Sequence, residues 1–92
     1  MIRSFRHKGI RRFFETGSKA GIQAAHASRL GRQLQALNRA SRAEDVHIPG
    51  WRCHALQGEQ AGHWSVWVSG NWRMTFSFED GEAILVDYRD YH

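Results

Sequence analysis

The chain has one cysteine, Cys53, one proline, Pro49, and only two lysines. A lone cysteine excludes an internal disulfide and fits a reducing compartment, so a cytoplasmic protein is expected. No Cys-x-x-Cys and no closely spaced histidine pair occurs. His7, His26, His47, His54, His63 and His92 are scattered, so neither a structural zinc site nor another metal centre is expected. No apolar run approaches the roughly 20 residues of a membrane span. The opening Met1-Ile2-Arg3-Ser4-Phe5-Arg6-His7-Lys8 leads into no apolar stretch, so no secretory signal is expected. Ninety-two residues leave room for one hydrophobic core, which predicts a single domain over 1–92. No internal repeat, linker or low-complexity stretch interrupts it.

Acidic residues are also nearly absent from the first half. Residues 1–42 hold ten Lys/Arg against Glu15 alone, a net +9, whereas residues 43–92 hold Arg52, Arg73 and Arg89 against eight acids, a net −5. Eleven of the thirteen basic residues are arginine. Arginine forks onto phosphate and stacks on bases, so the basic half points to nucleic acid. The competing reading is that the two halves attract each other, or that the arginines form a solvated surface.

Periodicity divides the chain in the same place. Residues 1–7 alternate weakly, as a short strand. Ile10, Phe13 and Phe14 predict a short helix over 9–16, stopped at Gly17. Residues 20–40 carry Ile22, Leu30, Leu34 and Leu37 with Ala24, Ala27 and Ala40 as an apolar stripe, predicting an amphipathic helix of about five turns. Gly31 inside it predicts a close neighbour, since glycine there costs roughly 1 kcal/mol against alanine. Residues 41–50 read as a connection ending in Pro49-Gly50. From there the period is two, with strands over 51–56, 63–69, 72–79 and 82–88. Gly70-Asn71 and Asp80-Gly81 form tight hairpins between the last three. The predicted fold is α+β: a strand, two helices, then an antiparallel meander, in the order β-α-α-β-β-β-β. The helices cover one sheet face. Trp72, Met74, Phe76 and Phe78 alternate against Arg73, Thr75 and Ser77, so the latter three belong to an open face. Trp51, Trp64 and Trp72 read as packing residues. Trp67, opposite in phase to Trp64, falls on the open face.

The segments Trp64-Ser65-Val66-Trp67-Val68 and Asn71-Trp72-Arg73-Met74-Thr75-Phe76, the terminal Asp90-Tyr91-His92 and the opening nine residues together resemble the HigB-type toxins of the RelE/ParE superfamily of bacterial toxin–antitoxin systems. The resemblance covers essentially the whole chain. It implies a ribosome-dependent, metal-free messenger-RNA endonuclease that needs no cofactor. Such a toxin cuts the codon in the decoding site, and a helix-turn-helix, HigA-like antitoxin neutralises it; the free toxin is expected to be a monomer. The site residues it implies are His54, Arg73, Asp90, Tyr91 and His92. Relatives often carry lysine where Leu56-Gln57-Gly58 has Gln57, so this chain has one cation fewer there.

The chemistry of these residues is apt without the family name. Metal-free RNA cleavage needs a base for the 2′-hydroxyl, an acid for the leaving 5′-oxygen and a cation for the phosphorane. Arg73 suits the cation. His54 and His92 titrate near neutrality. Asp90 could act as base or orient a histidine, and Tyr91 could stack, donate or protonate; the roles stay open at this level. Arg3, Arg6, Lys8, Arg11, Arg12, Arg29, Arg32 and Arg39, with Gln57, form the candidate RNA- and ribosome-binding set. A ParE-like gyrase poison is one competing reading, and an inactive RNA- or antitoxin-binding module is the other, since fold alone does not decide function.

Overall fold

The computed structural model describes residues 1–91. Two helices, α1 (Lys8–Thr16) and α2 (Ala27–Arg39), precede four strands: β1 (His54–Ala55), β2 (Trp64–Ser69), β3 (Trp72–Glu79) and β4 (Glu82–Asp90). The strands form one antiparallel sheet in sequence order. The α+β fold predicted from periodicity is the observed one.

Local chemistry explains the element ends. His7 caps α1 by accepting the Ile10 N–H on Nδ1 at 3.1 Å. Gly17, in the left-handed region at φ 81°, closes it. Asp80 and Gly81 both take positive φ, as a two-residue hairpin turn of type I′ requires. Leu30, Leu34 and Leu37 of α2 pack with Ile10 against Val66, Val68, Met74, Phe76, Ala83 and Val86 in a single hydrophobic cluster. Each of these side chains other than Ala83 gains about 1.5–3 kcal/mol from burial.

Four expectations need correction. First, residues 1–7 make no regular strand. Ile2 and Phe5 form isolated parallel bridges to Ala83 and Val86 along the outer edge of β4. Second, α2 begins at residue 27, because tertiary contacts hold residues 20–26 out of the helix. The Gly21 backbone packs so tightly on Gly9 that a Cβ on Gly9 would lie 2.3 Å from the Gly21 carbonyl oxygen. Just before α2, the Gln23 N–H donates to the Tyr88 hydroxyl, and His26 is buried against the same residue. Third, the strand over 51–56 shrinks to His54–Ala55. The Trp51 carbonyl does accept the Trp67 N–H at 2.7 Å, but Arg52 sits at φ 51° and turns the chain between them. Fourth, nothing crowds Gly31, since a Cβ there would meet only Phe13 at 3.9 Å.

Two bulges set the geometry of the last strands. One lies between Trp67 and Ser69. It frees the Trp67 carbonyl for Gln33 Nε2 at 2.8 Å, which explains a buried glutamine within the apolar stripe. The other opposes Thr75–Ser77 and centres on Leu85 at φ 56°, whose N–H donates to Ser4 Oγ at 2.9 Å. Ala83 and Val86, three apart, therefore both face the core.

Candidate active site

Residues opposite one another in adjacent strands share a face, so the register assigns the site directly. His54, Ser65, Thr75 and Asp87 form one row across the four strands, and Trp67, Arg73 and Arg89 form the next. Both rows lie on the face away from the helices. Arg73 is on that face, as expected. Thr75, expected to be open, is buried, and so is Ser65 beside it. The connection following β1 closes over them. Tyr91 follows the end of β4 and Gln60 lies in a short 3₁₀ turn beyond the opposite end of β2, yet the Tyr91 hydroxyl donates to Gln60 Oε1 at 3.2 Å. The two meet only if that connection folds back over the sheet. The result is a sheet face that carries His54 on β1 and Arg73 on β3, with Tyr91 tied to the connection that folds over it.

The groups on this face are positioned for different tasks. The Arg73 guanidinium donates from Nη1 to the carbonyls of Gly70 at 3.1 Å and Trp72 at 3.2 Å, which leaves its remaining donors for a ligand. Arg89 stands directly opposite it, a like-charged cross-strand pair that is unfavourable unless an anion joins it. Asp87 touches Arg89 only at 3.9 Å, and among the described residues no ion pair involves Arg73. The Arg89 guanidinium lies 5.3 Å from the centre of the Tyr91 ring. His54 is exposed, and its Nδ1 lies 2.8 Å from the Arg52 carbonyl. A carbonyl can only accept, so Nδ1 carries the proton and the neutral ring presents a bare Nε2, the form a general base needs.

Other expected site residues lie elsewhere. Asp90 pairs with Trp72, so its side chain leaves β4 toward Trp72 and Tyr88, on the opposite side from Arg73 and Arg89. His92 lies outside the described residues. Gln57 is exposed at the start of the 3₁₀ turn that carries Gln60. Arg3 is ion-paired to Glu79 and Glu82, and Arg11 to Glu15. Arg6, Lys8 and Arg12 are exposed around α1. Arg32 and Arg39 line a shallow groove of about 640 Å³ on the outer side of α2, with Ile48 and Trp51 in its lining and neither His54 nor Arg73 among its residues. Among the described residues, no three His, Cys, Asp or Glu side chains converge as metal ligands, and no helix is long and apolar enough to cross a membrane.

On the opposite face of the sheet, an aromatic cluster fixes the end of β4. Trp72 stacks on Tyr88 at 4.4 Å between ring centres, and His26 and His7 pack edge-on against Tyr88. The Tyr88 hydroxyl accepts the Gln23 N–H and lies within hydrogen-bond distance of His26 Nδ1. While accepting from Gln23, the hydroxyl keeps its own proton available to donate to His26 Nδ1. Burial pushes the His26 pKa down and the Tyr88 pKa up.

A model of the RelE-like toxins of the type II toxin–antitoxin system HigB matches residues 3–92. The chain belongs to the HigB-like toxin family. It is 39% identical to the Endoribonuclease HigB of Proteus vulgaris over 92 residues, the whole of both chains. It is also 32% identical to Toxin HigB-1 of Vibrio cholerae over 94 residues, covering all of this chain and 98% of that one. Within this family member, sequence reasoning missed Asp87 and Arg89. Strict alternation from Ala83 would turn both toward the core; the bulge at Leu85 moves them to the Arg73 face.

Proposed function

We propose that the chain is the toxin of a type II pair and cleaves messenger RNA in the ribosomal decoding site without a metal ion. The observation that carries this reading is the Arg73–His54 face: a guanidinium held by carbonyls beside a second guanidinium, and an imidazole whose tautomer leaves Nε2 open. A relative of the same length named as an endoribonuclease supports it. In the proposed reaction a base removes the 2′-hydroxyl proton and the 2′-oxygen attacks phosphorus. The 5′-oxygen then leaves with a proton from an acid, giving a 2′,3′-cyclic phosphate and a 5′-hydroxyl. Arg73, assisted by Arg89, stabilises the phosphorane charge. His54 and His92 divide the roles of base and acid. Tyr91 closes over the nucleotide, and Asp90 orients the chain terminus. A helix-turn-helix antitoxin, HigA-like, holds the otherwise monomeric toxin inactive.

The test is induction in a bacterial host with message 5′ ends mapped within minutes, beside His92→Ala and Arg73→Ala. In-frame cuts that require translation, and that each substitution reduces by about 10²–10³-fold, are expected. Growth arrest with intact messages and damaged DNA would replace this reading with gyrase poisoning.

A further inference from the structure

One feature of the open face lies outside the cleavage groups. Two arginines from different elements converge on a single indole: the Arg52 guanidinium lies 4.5 Å from the centre of the Trp67 ring, and that of Arg29, from α2, lies 5.2 Å away. Among the described residues, neither Arg29 nor Arg52 is in an ion pair with a carboxylate. The indole is itself fixed. Its Nε1 donates to the Gly70 carbonyl at 2.9 Å, the same oxygen that accepts from Arg73, and Gln33 grips the Trp67 carbonyl. Arg52 reaches the ring from a left-handed backbone conformation, φ 51°, in which a non-glycine residue is strained.

Cation–π attraction orients each guanidinium, but two like charges on one ring repel, and among the described residues no carboxylate is ion-paired with either. An anion relieves both. The guanidinia already occupy the neighbourhood of the ring, so the feature suits a phosphate between two forks better than a stacked base. Trp67 opposes Arg73 in the register and shares the Gly70 oxygen with it, so a phosphate held here is contiguous with one held at Arg73. We propose that Arg29, Trp67 and Arg52 form a cradle for an RNA backbone phosphate flanking the scissile one. The flanking position rests on the nuclease reading; the phosphate site itself does not.

The experiment uses the whole chain and a fluorescein-labelled, 2′-O-methylated single-stranded oligoribonucleotide, which cleavage cannot consume. Arg29→Ala/Arg52→Ala is compared with Lys19→Ala/Arg42→Ala, which removes the same charge elsewhere. Thermal midpoints confirm that both variants fold. The cradle pair is expected to weaken binding by about 10–100-fold and to flatten the slope of log affinity against log salt by about 0.7, one single-strand phosphate contact. The control pair should leave the slope unchanged. Equal affinity and slope for the cradle pair and wild type, or a loss matched by the control pair, overturns the cradle. Binding to ribosomes with and without message identifies the source. A loss on programmed ribosomes alone assigns the phosphate to message and supports the flanking position; a loss on both assigns it to ribosomal RNA, which keeps the phosphate site and overturns the flanking position. On programmed ribosomes KM should rise about 10-fold with kcat nearly unchanged, and a fall confined to kcat overturns a binding role. If wild type cleaves nothing while the oligonucleotide result holds, the nuclease reading fails and the phosphate site stands.

Discussion

The buried His26–Tyr88 pair makes the stability of this fold depend on pH in a calculable direction. His26 is 9% exposed, and its pKa is lowered by burial. The unfolded chain therefore takes up a proton near pH 6.5 that the folded chain refuses. The neutral ring's contribution is fully present above pH 6.5 and is lost as pH falls below it toward the folded value. With at most one proton of difference, the slope cannot exceed about 1.4 kcal/mol per pH unit. Between pH 7.5 and 5.5 the loss cannot exceed about 1.4 kcal/mol, so the associated fall in Tm should stay under roughly 11 °C for a domain of this size. The chain has other histidines, and His7 also packs on Tyr88. The effect of His26 is therefore read as a difference, from urea midpoints of wild type and His26→Gln across that range. The wild-type curve should be steeper, within that bound. Parallel curves, or a His26 proton resonance titrating at or above 6.5, would refute the reasoning.

Gly31→Ala should stabilise the protein by up to about 1 kcal/mol, because α2 gains helix propensity and the new methyl meets only Phe13 at 3.9 Å; calorimetry checks the rise in Tm. Gly9→Ala should instead destabilise it, since the added carbon must displace the Gly21 backbone rather than a flexible side chain, and Tm should drop or folding fail. Cys53 is half-buried and its thiol is pushed up to about 11, chiefly by desolvation, so alkylation at pH 8 should be much slower than for a free thiol and should recover in urea.

Much of this molecule follows from local pattern. The two helix positions, both hairpin turns and the placement of Arg73 off the core need only periodicity and turn chemistry, because each is decided by neighbours within a few residues. Long-range contacts decided the rest. Residues 20–26 have a helical pattern, but the Gly9–Gly21 contact and the Tyr88 hydroxyl take them out of the helix. Residues 51–56 have a strand pattern, but Trp51 must reach the core, and the turn at Arg52 cuts the strand to two residues. The site divides the same way. Residue chemistry marked Arg73 and His54, whereas the partnership of Arg73 with Arg89 depends on a bulge that Ser4, 81 residues away, helps to hold. The convergence of Arg29 and Arg52 on Trp67 joins a helix, a turn and a strand. The sequence by itself determined which chemical groups are present and which way most of them point. Only tertiary structure decided which of them meet, because register and bulges are settled by packing between segments far apart in the chain.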